Sequence, residues 1–416
     1  MSEFTEEEWK LIFDEMETNP TAYGLPSRKE GSALIGSFNI RKLGAASKRS
    51  PSTWKFLGRV CHRFDLLAVQ EALDNMEGLH RLLQEMNHID QDDDDDWNIL
   101  CSDKTGTYPG DNGVGERLVF FYRSSTVERG EVVSDITYDR SKVSEILFEN
   151  LEEINNVKAK YDREMEEYET QTRKTKPTLT LPTFLSFIRS PYCASFKVKS
   201  ASCPNGLSYE FMAINAHLMY GKSKDRWREF VALMNWIRDR VVQYDKTYYP
   251  NFILLGDLNL DYDNPAKDLA KMEQYMKNIQ IDTPNEVQVN FPFLDIHPDQ
   301  TEHFTSNIKL SQRYDQIGLF FRDEDGSGVG FPTHAENKNM GKVDEDGNGY
   351  DYGVFNFTEL FAKALTNESY KDLSKEEQTK LVKKYEHEVS DHMPIWIRLK
   401  FSTSPSKKRK AEELVN

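Results

Sequence analysis

The sequence is short of cysteine, of long apolar runs and of positive charge. Its four cysteines include no Cys-x-x-Cys pair, which argues against a zinc site or a disulfide scaffold and favours a reducing compartment. No stretch approaches the roughly 20 apolar residues of a membrane-spanning helix, so no membrane contact is expected. The formal net charge of −16 argues against binding nucleic acid through a broad basic surface. A cleft with a few arginines and a cation is still compatible with a polyanionic substrate.

What the sequence does contain is a series of short apolar runs with the length and composition of β-strands. The predicted strands are Leu34–Ile40, Leu66–Gln70, Leu118–Tyr122, Phe184–Ile188, Phe211–Ala216, Phe252–Gly256, Ile317–Phe321 and Ile395–Phe401. Helical patterns lie between some of them, at 54–63, 75–87 and 225–243. This alternation predicts a layered fold of α-helices and β-strands.

The chain divides into one main domain and two end segments. Residues 1–30 have a helical pattern and are predicted to form an N-terminal extension, whereas 31–402 carry the strand pattern. Within the main domain, the charged segment at about 141–176 and the glycine-rich, acidic segment 322–356 are predicted insertions. The basic tail 403–416 is expected to be disordered and resembles a nuclear address. The N-terminus lacks a secretory signal, so we expect a cytoplasmic protein, or a nuclear one through this tail.

The second insertion contains two short acidic loops, 323–328 and 344–349. Each has acids at its first and third positions and glycine at its sixth, as in the first half of a calcium-binding loop. The glutamate expected at the twelfth position is replaced by His334 in one loop and Phe355 in the other. Acidic turns are therefore the first interpretation, and Ca²⁺ binding is the alternative.

Polar side chains stand where several predicted strands end or begin. These residues are Asn39, Glu71, His217, Asp257, Asn259, Asp315, Asp391 and His392. One such residue alone is typical of a turn or cap, but layered folds present their chemistry at one sheet edge. We therefore expect the set to converge into one site.

The residue types fit a metal-assisted reaction. Glu71, Asp257 and Asp391 offer the oxygen ligands that Mg²⁺ prefers, and clustered Cys and His ligands for zinc are missing. The two histidines can supply an acid and a base, and each needs a carboxylate to fix its tautomer. Asp315 and Glu116 are the candidates for that task. The two asparagines can orient phosphate oxygens or a nucleophile without adding repulsive charge.

In this order the motifs resemble the endonuclease/exonuclease/phosphatase superfamily, and within it the deoxyribonuclease I branch. The motifs are Phe38-Asn-Ile-Arg41 with Leu43-Gly44, Gln70-Glu71, Gly115-Glu-Arg117, Arg189-Ser-Pro191, His217, Gly256-Asp-Leu-Asn259, Tyr314-Asp315 and Ser390-Asp-His392. The resemblance covers about residues 33–401, nearly the whole chain apart from its ends and insertions. Each motif is short, but the ordered set is specific to this superfamily.

The resemblance implies an α+β fold, a four-layer α/β/β/α sandwich of two mostly antiparallel sheets. It also implies a divalent-metal-dependent phosphodiesterase that uses Mg²⁺, or Mn²⁺ in its place. The expected activity is that of a DNA endonuclease, with hydrolysis by in-line attack of water. A phosphodiesterase or phosphatase for a lipid headgroup or small phosphate ester is the alternative, and an inert binding module is a second one. No protein partner is indicated.

The resemblance also assigns roles to individual residues. The implied metal ligands are Asn39, Glu71, Asp257 and Asp391. The implied catalytic residues are His217, Glu116, Asp257, Asn259, Asp315 and His392. The implied phosphate-binding residues are Arg41, Arg189 and Asn259. In this scheme His392 activates or stabilises the attacking water and His217 protonates the leaving oxygen, each oriented by its carboxylate.

The chain departs from the deoxyribonuclease I pattern at two positions that contact duplex DNA. An arginine and a tyrosine of that branch are replaced by Leu73 and Val114. Neither side chain can stack on a base or bind a phosphate, so a preference for double-stranded DNA is not implied. The insertion at 141–176 precedes Arg189 and is expected to shape the choice of substrate.

Overall fold

The structure is a computed structural model. It describes residues 4–89, 97–106, 115–179, 181, 184–203, 206, 208–220, 223–242, 249, 251–260, 265–282, 287–297, 300–321 and 352–401. Both acidic loops, Val114, the basic tail and most of the second insertion lie outside these residues.

Twelve strands form two sheets in the described part of the chain. The strands are β1 Ser32–Leu43, β2 Leu66–Leu73, β3 Trp97–Cys101, β4 Glu116–Arg123, β5 Val127–Asp135, β6 Tyr192–Val198, β7 Tyr209–His217, β8 Phe252–Asp257, β9 Gln288–Asn290, β10 Asp315–Phe321, β11 Tyr352–Val354 and β12 Ile395–Lys400. The first sheet has the order β11-β12-β1-β2-β4-β3, and the second has the order β5-β6-β7-β8-β10-β9. Each sheet contains one parallel pair, β1 with β2 and β7 with β8, and its other neighbours are antiparallel.

Helices cover the outer faces of both sheets. The helices are α1 Glu6–Thr18, α2 Pro51–Cys61, α3 Glu77–Asn87, α4 Arg140–Glu149, α5 Leu151–Glu169, α6 Ser223–Val242, α7 Pro265–Asp282, α8 Phe357–Thr366 and α9 Lys375–Tyr385. Helices α1, α2, α3, α8 and α9 share one buried cluster with the first sheet, whereas α6 and α7 share another with the second. The predicted fold class, an α+β sandwich of two mostly antiparallel sheets, is confirmed.

A buried amide fixes the two sheets against each other. Asn215 of β7 is fully buried, and its Nδ2 donates to the carbonyl oxygens of Val69 at 3.0 Å and Val119 at 2.9 Å. These two acceptors lie opposite each other on β2 and β4 of the other sheet. Gln70 Nε2 donates to Asn215 Oδ1 at 2.7 Å. Because a buried amide is costly unless paired, these bonds select one register between the sheets.

The predicted strand Phe184–Ile188 is wrong, because this segment forms a loop. Its aromatic rings pack on each other and on a neighbour, with ring centroids 4.9 Å apart for Phe184 and Phe187 and 5.5 Å apart for Tyr138 and Phe184. A short apolar run reports burial, and periodicity alone does not distinguish a strand from a buried loop. The other seven predicted strands are confirmed.

The two regions predicted to be appended or inserted differ in how they pack. Helix α1 begins with a capping box at Thr5, and Trp9, Ile12 and Met16 are buried in the core. Helices α4 and α5, which cover most of the insertion at 141–176, have no buried residue. Phe148 of α4 is 80% exposed. None of the described helices is long and apolar enough to cross a membrane.

Candidate active site

The candidate site lies where β1 and β2 bend. The register of this parallel pair shifts between Asn39 and Leu43, and the β2–β4 register shifts between Val69 and Ala72. Within these irregularities Lys42 has φ +49° and Glu71 has φ +62°. A positive φ is strained for side chains other than glycine and clusters at functional sites. The bend brings the Glu71 carboxylate to the Lys42 backbone N–H, which donates to Oε2 at 2.9 Å.

Strand β8 places the central acid of the site. Gly256 has φ +146°, and a Cβ at this position would lie 1.8 Å from the carbonyl oxygen of Ala216. Only glycine therefore allows β7 and β8 to approach this closely. The next residue, Asp257, lies in register with His217 on one side and with Asp315 on the other. The sheet thus sets three chemically active side chains in a row.

Two histidine–carboxylate pairs flank Asp257. His217 Nδ1 lies 2.7 Å from Glu116 Oε1, and His392 Nδ1 lies 2.7 Å from Asp315 Oδ2. The Nε2 atoms of both histidines lie 3.6 Å from the same oxygen, Asp257 Oδ2. Each carboxylate fixes the tautomer of its imidazole and leaves Nε2 facing the centre. The two imidazoles can therefore each transfer a proton next to Asp257 Oδ2.

The charges of the site favour protonated imidazoles around an ionised carboxylate. Burial and the charge of Arg189 lower the pKa of His217, but Glu116 and Asp257 together more than offset this and the net pKa is raised. Burial also lowers the pKa of His392, yet Asp315 and Asp257 hold it well above its usual range. Burial raises the pKa of Asp257, whereas the two histidines and two hydrogen bonds lower it overall. A cation bound by Asp257 would compete with the protonation of both imidazoles.

The predicted metal ligands lie beside this centre. Asn39 Nδ2 donates to Asp257 Oδ2 at 3.1 Å and lies 3.5 Å from Glu71 Oε1. Asn39 Oδ1 and Asp391 Oδ1 are both buried without a hydrogen-bond partner. A buried oxygen acceptor is costly to leave unpaired, and two of them beside carboxylates fit a hard cation.

A second set of donors overlaps the predicted one. Among the described His, Cys, Asp and Glu residues, Asp257, Asp315 and His392 form the one group whose ligand atoms lie within 4.8 Å of each other. In this group Asp315 Oδ2 is already bonded to His392 Nδ1. In the predicted set, Glu71 Oε2 accepts from the Lys42 backbone N–H and Asp391 Oδ2 contacts Arg41, whereas Asn39 Oδ1 and Asp391 Oδ1 have no hydrogen-bond partner.

The two predicted phosphate-binding arginines are held by carboxylates. Arg41 Nη1 lies 2.8 Å from Glu386 Oε1 and 3.1 Å from Asp391 Oδ2. Arg189 Nε lies 2.5 Å from Glu116 Oε1, the same oxygen that His217 contacts. Both side chains are about one-fifth exposed. Each arginine therefore shares its charge with an acid.

Ser390 connects β1 to the segment just before β12 at the site. Its hydroxyl is fully buried, donates to the carbonyl oxygen of Asn39 at 2.6 Å and accepts from the backbone N–H of Arg41 at 3.0 Å and of His392 at 3.2 Å. One hydroxyl thus positions the loop of Asp391 against β1. Sequence reasoning missed this contact and the Arg41–Glu386 pair. The motif contains Ser390, but nothing in the sequence marks Glu386.

A comparison with models of protein families finds no match, and a comparison with curated proteins finds none either. Solved structures do match, and those found include proteins of the endonuclease/exonuclease/phosphatase family. This is the family that the sequence motifs resemble.

Three of the solved structures illustrate the likeness. A family protein from Bacteroides thetaiotaomicron is 14% identical, with 90% of this chain and 96% of that chain covered and a TM-score of 0.40. Truncated Caenorhabditis elegans TDP2 is 12% identical, with 89% and 98% covered and a TM-score of 0.42. A mannosyl-6-phosphatase from Bacteroides thetaiotaomicron is 15% identical, with 88% and 98% covered and a TM-score of 0.40. At such low similarity, function has to be sought in the geometry of this site.

Proposed function

We propose that the protein is a divalent-metal-dependent phosphoester hydrolase, and specifically a phosphodiesterase that cleaves DNA as an endonuclease. The observation that supports this proposal is the pair of histidines, His217 and His392, whose Nε2 atoms face one oxygen of Asp257 from two sides. In-line hydrolysis needs a proton removed from water on one side of phosphorus and a proton delivered to the leaving oxygen on the other. The site holds one imidazole for each task.

A cation is needed because the site gathers many acids. Glu71, Glu116, Asp257, Asp315 and Asp391 all lie in it, and a phosphate anion would be repelled by this charge. The residues that would hold the ion are the predicted ligands, whose unpaired buried oxygens fit a hard cation. When bound, Mg²⁺ or Mn²⁺ supplies Lewis-acid stabilisation of the charge that develops on the phosphoryl oxygens.

The protein side chains divide the remaining work. In its neutral form, which a cation bound by Asp257 would favour, His392 held by Asp315 accepts a proton from the attacking water at Nε2. His217, held by Glu116, donates the proton at its own Nε2 to the leaving oxygen. Asn259, with a backbone N–H that donates to Asp257 Oδ1 at 2.9 Å, orients the substrate phosphate with its amide.

The substrate is tested by one cleavage assay. We would incubate supercoiled plasmid, single-stranded DNA, RNA, a generic phosphodiester and a generic phosphomonoester with the protein, in Mg²⁺ or in chelator. We expect metal-dependent cutting of DNA, absent from a Glu71→Gln, His392→Ala double variant. Cleavage of the phosphomonoester alone would show that the protein is a phosphatase and not an endonuclease. No metal-dependent cleavage of any substrate would contradict the proposal.

A hydrolase of small or lipid phosphate esters is the second candidate function. It is favoured by the engagement of both Arg41 and Arg189 with carboxylates, which leaves less positive charge for a long polyanion. Leu73, in the position of a DNA-contacting arginine, also favours this second candidate. The same assay decides between the two, because only the first candidate cuts plasmid or single-stranded DNA.

The metal site is tested without any substrate. We expect calorimetric titration to show one Mn²⁺ bound by the wild-type protein, and Glu71→Gln to weaken binding by at least roughly tenfold, as even loss of an outer-shell contact does. Glu145→Gln, on the exposed face of α4 and paired with Lys142, is the matched control and should bind normally. Equal binding by Glu71→Gln would instead place the ion at Asp257, Asp315 and His392.

A further inference from the structure

One peptide bond, between Leu218 and Met219, connects three side chains around the site. The Leu218 carbonyl oxygen accepts from Asn259 Nδ2 at 2.9 Å and from Arg189 Nη1 at 3.2 Å. On the other side of the same peptide, the Met219 N–H donates to Glu229 Oε2 at 2.6 Å. The orientation of this peptide therefore sets where the Asn259 amide and the Arg189 guanidinium lie.

Glu229 also holds the segment that carries the arginine. Its second oxygen, Oε1, accepts from the backbone N–H of Ile188 at 2.7 Å, one residue before Arg189. One turn earlier on α6, Arg226 donates from Nη1 to the carbonyl oxygen of Asn259 at 3.2 Å. Glu229 is 3% exposed and Arg226 is 5% exposed. Helix α6 thus fixes three chain segments at the site through two buried polar side chains.

A packing role alone does not explain a carboxylate at this position. Other buried positions of α6, such as Phe230 and Leu233, are apolar, and a buried carboxylate is costly unless it is fully hydrogen-bonded. Both oxygens of Glu229 bond backbone donors next to site residues. Burial raises the pKa of Glu229, although these two hydrogen bonds and the charges of Arg189 and His217 oppose the rise. What Glu229 adds over an apolar side chain is the fixed orientation of these peptides.

We propose that Glu229 is a positioning residue of the active site, which aligns Asn259 and Arg189 with the substrate phosphate through the Leu218–Met219 peptide. This role rests on the proposed hydrolase function. Glu229 contacts no substrate itself. The hydrogen bond from the Met219 N–H holds this peptide in the orientation in which the Leu218 carbonyl oxygen accepts from both side chains. The hydrogen bond from the Ile188 N–H holds the segment that carries Arg189.

The test uses Glu229→Gln, which keeps the volume but replaces one acceptor oxygen by an NH₂ group facing a backbone N–H. We expect kcat/KM for phosphodiester hydrolysis to fall by roughly 10- to 10²-fold, the scale of a small misplacement of catalytic groups. In the double variant with Asn259→Ala, the loss should be smaller than the sum of the two single losses, because Glu229 acts in part through the Asn259 contact and in part through Arg189. Glu131→Gln is the matched control, since this exposed glutamate accepts one bond, from Tyr249 at 2.7 Å.

A second measurement requires no turnover. In protein labelled with ¹⁵N-arginine and ¹⁵N-asparagine, Glu229→Gln should shift the Arg189 Nε–H and Asn259 side-chain amide signals, whereas Glu131→Gln should leave them in place. Additive losses in the double variant, or unshifted signals, would overturn the positioning role. Shifted signals in a protein that hydrolyses no phosphoester would support the alignment by Glu229 and contradict the proposed function, so the two failures are distinguishable.

Discussion

We expect His392→Ala and His217→Ala each to lower kcat/KM for phosphodiester hydrolysis by about 10²–10⁴-fold, the contribution typical of a general acid or base. Each imidazole is held at Nδ1 by its own buried carboxylate and presents Nε2 to the centre, so no other described side chain can take over its proton. The losses should appear mainly in kcat, because neither histidine is needed to bind the metal ion or the phosphate in the proposed scheme.

His80→Ala is the control for this pair, because His80 is exposed on α3, outside the site. Thermal unfolding of each variant should be recorded alongside, since loss of His392 leaves the buried Asp315 without its partner. Near-normal turnover by a folded His392→Ala variant would show that the reaction does not use this imidazole. Normal turnover by a folded His217→Ala variant would likewise show that the reaction does not use His217 as its acid.

The second large effect concerns stability rather than chemistry. We expect Gly256→Ala to lower the free energy of unfolding by about 3 kcal/mol or more, since backbone strain costs roughly 1–3 kcal/mol and overpacking typically another 1–3. The added methyl group would meet the Ala216 carbonyl oxygen at 1.8 Å, and a backbone atom in a paired strand cannot move aside. Urea unfolding followed by tryptophan fluorescence measures this difference.

Gly206→Ala separates the two contributions. Gly206 also has a positive φ, +68°, but an added Cβ would meet nothing within 4 Å. In this variant the free energy of unfolding should fall only by the cost of the backbone conformation, about 1 kcal/mol. If Gly256→Ala were no less stable than Gly206→Ala, the close approach of β7 and β8 would not be what requires glycine at this position.

Most of the fold was predictable because buried strands leave a strong local signal. The runs at Leu66–Gln70 and Phe252–Gly256 are almost entirely apolar, and both are central strands. Strand β5, by contrast, alternates exposed and half-buried residues at a sheet edge, and Val127–Asp135 offers no apolar run to recognise. The sequence also shows no sign of which strand pairs with which, since pairing depends on contacts between distant residues.

The residues of the site could be predicted from the sequence, but the side chains that hold them in place could not. Asp257, His217 and His392 were expected to converge because each stands at a strand end, and the structure brings them within 3.6 Å. That Arg189 shares an oxygen of Glu116 with His217 could not be foreseen, because the two residues come from different strands and loops. Glu229 was hidden for another reason, since a charged residue in an amphipathic helix is normally exposed.

The pairing of the last strand with the first constrains when this site can form. Strand β12 lies beside β1 in the first sheet, with Ile397 opposite Ile35, so β1 keeps an open edge until the end of the described chain has been synthesised. Asp391 and His392 lie just before β12, and the neighbouring Ser390 hydroxyl donates to the Asn39 carbonyl oxygen of β1. A ribosome-bound chain that has not yet released β12 therefore holds Asn39 and Glu71 without Asp391 and His392 beside them. The proposed site is therefore complete only after β12 has been released and docked against β1.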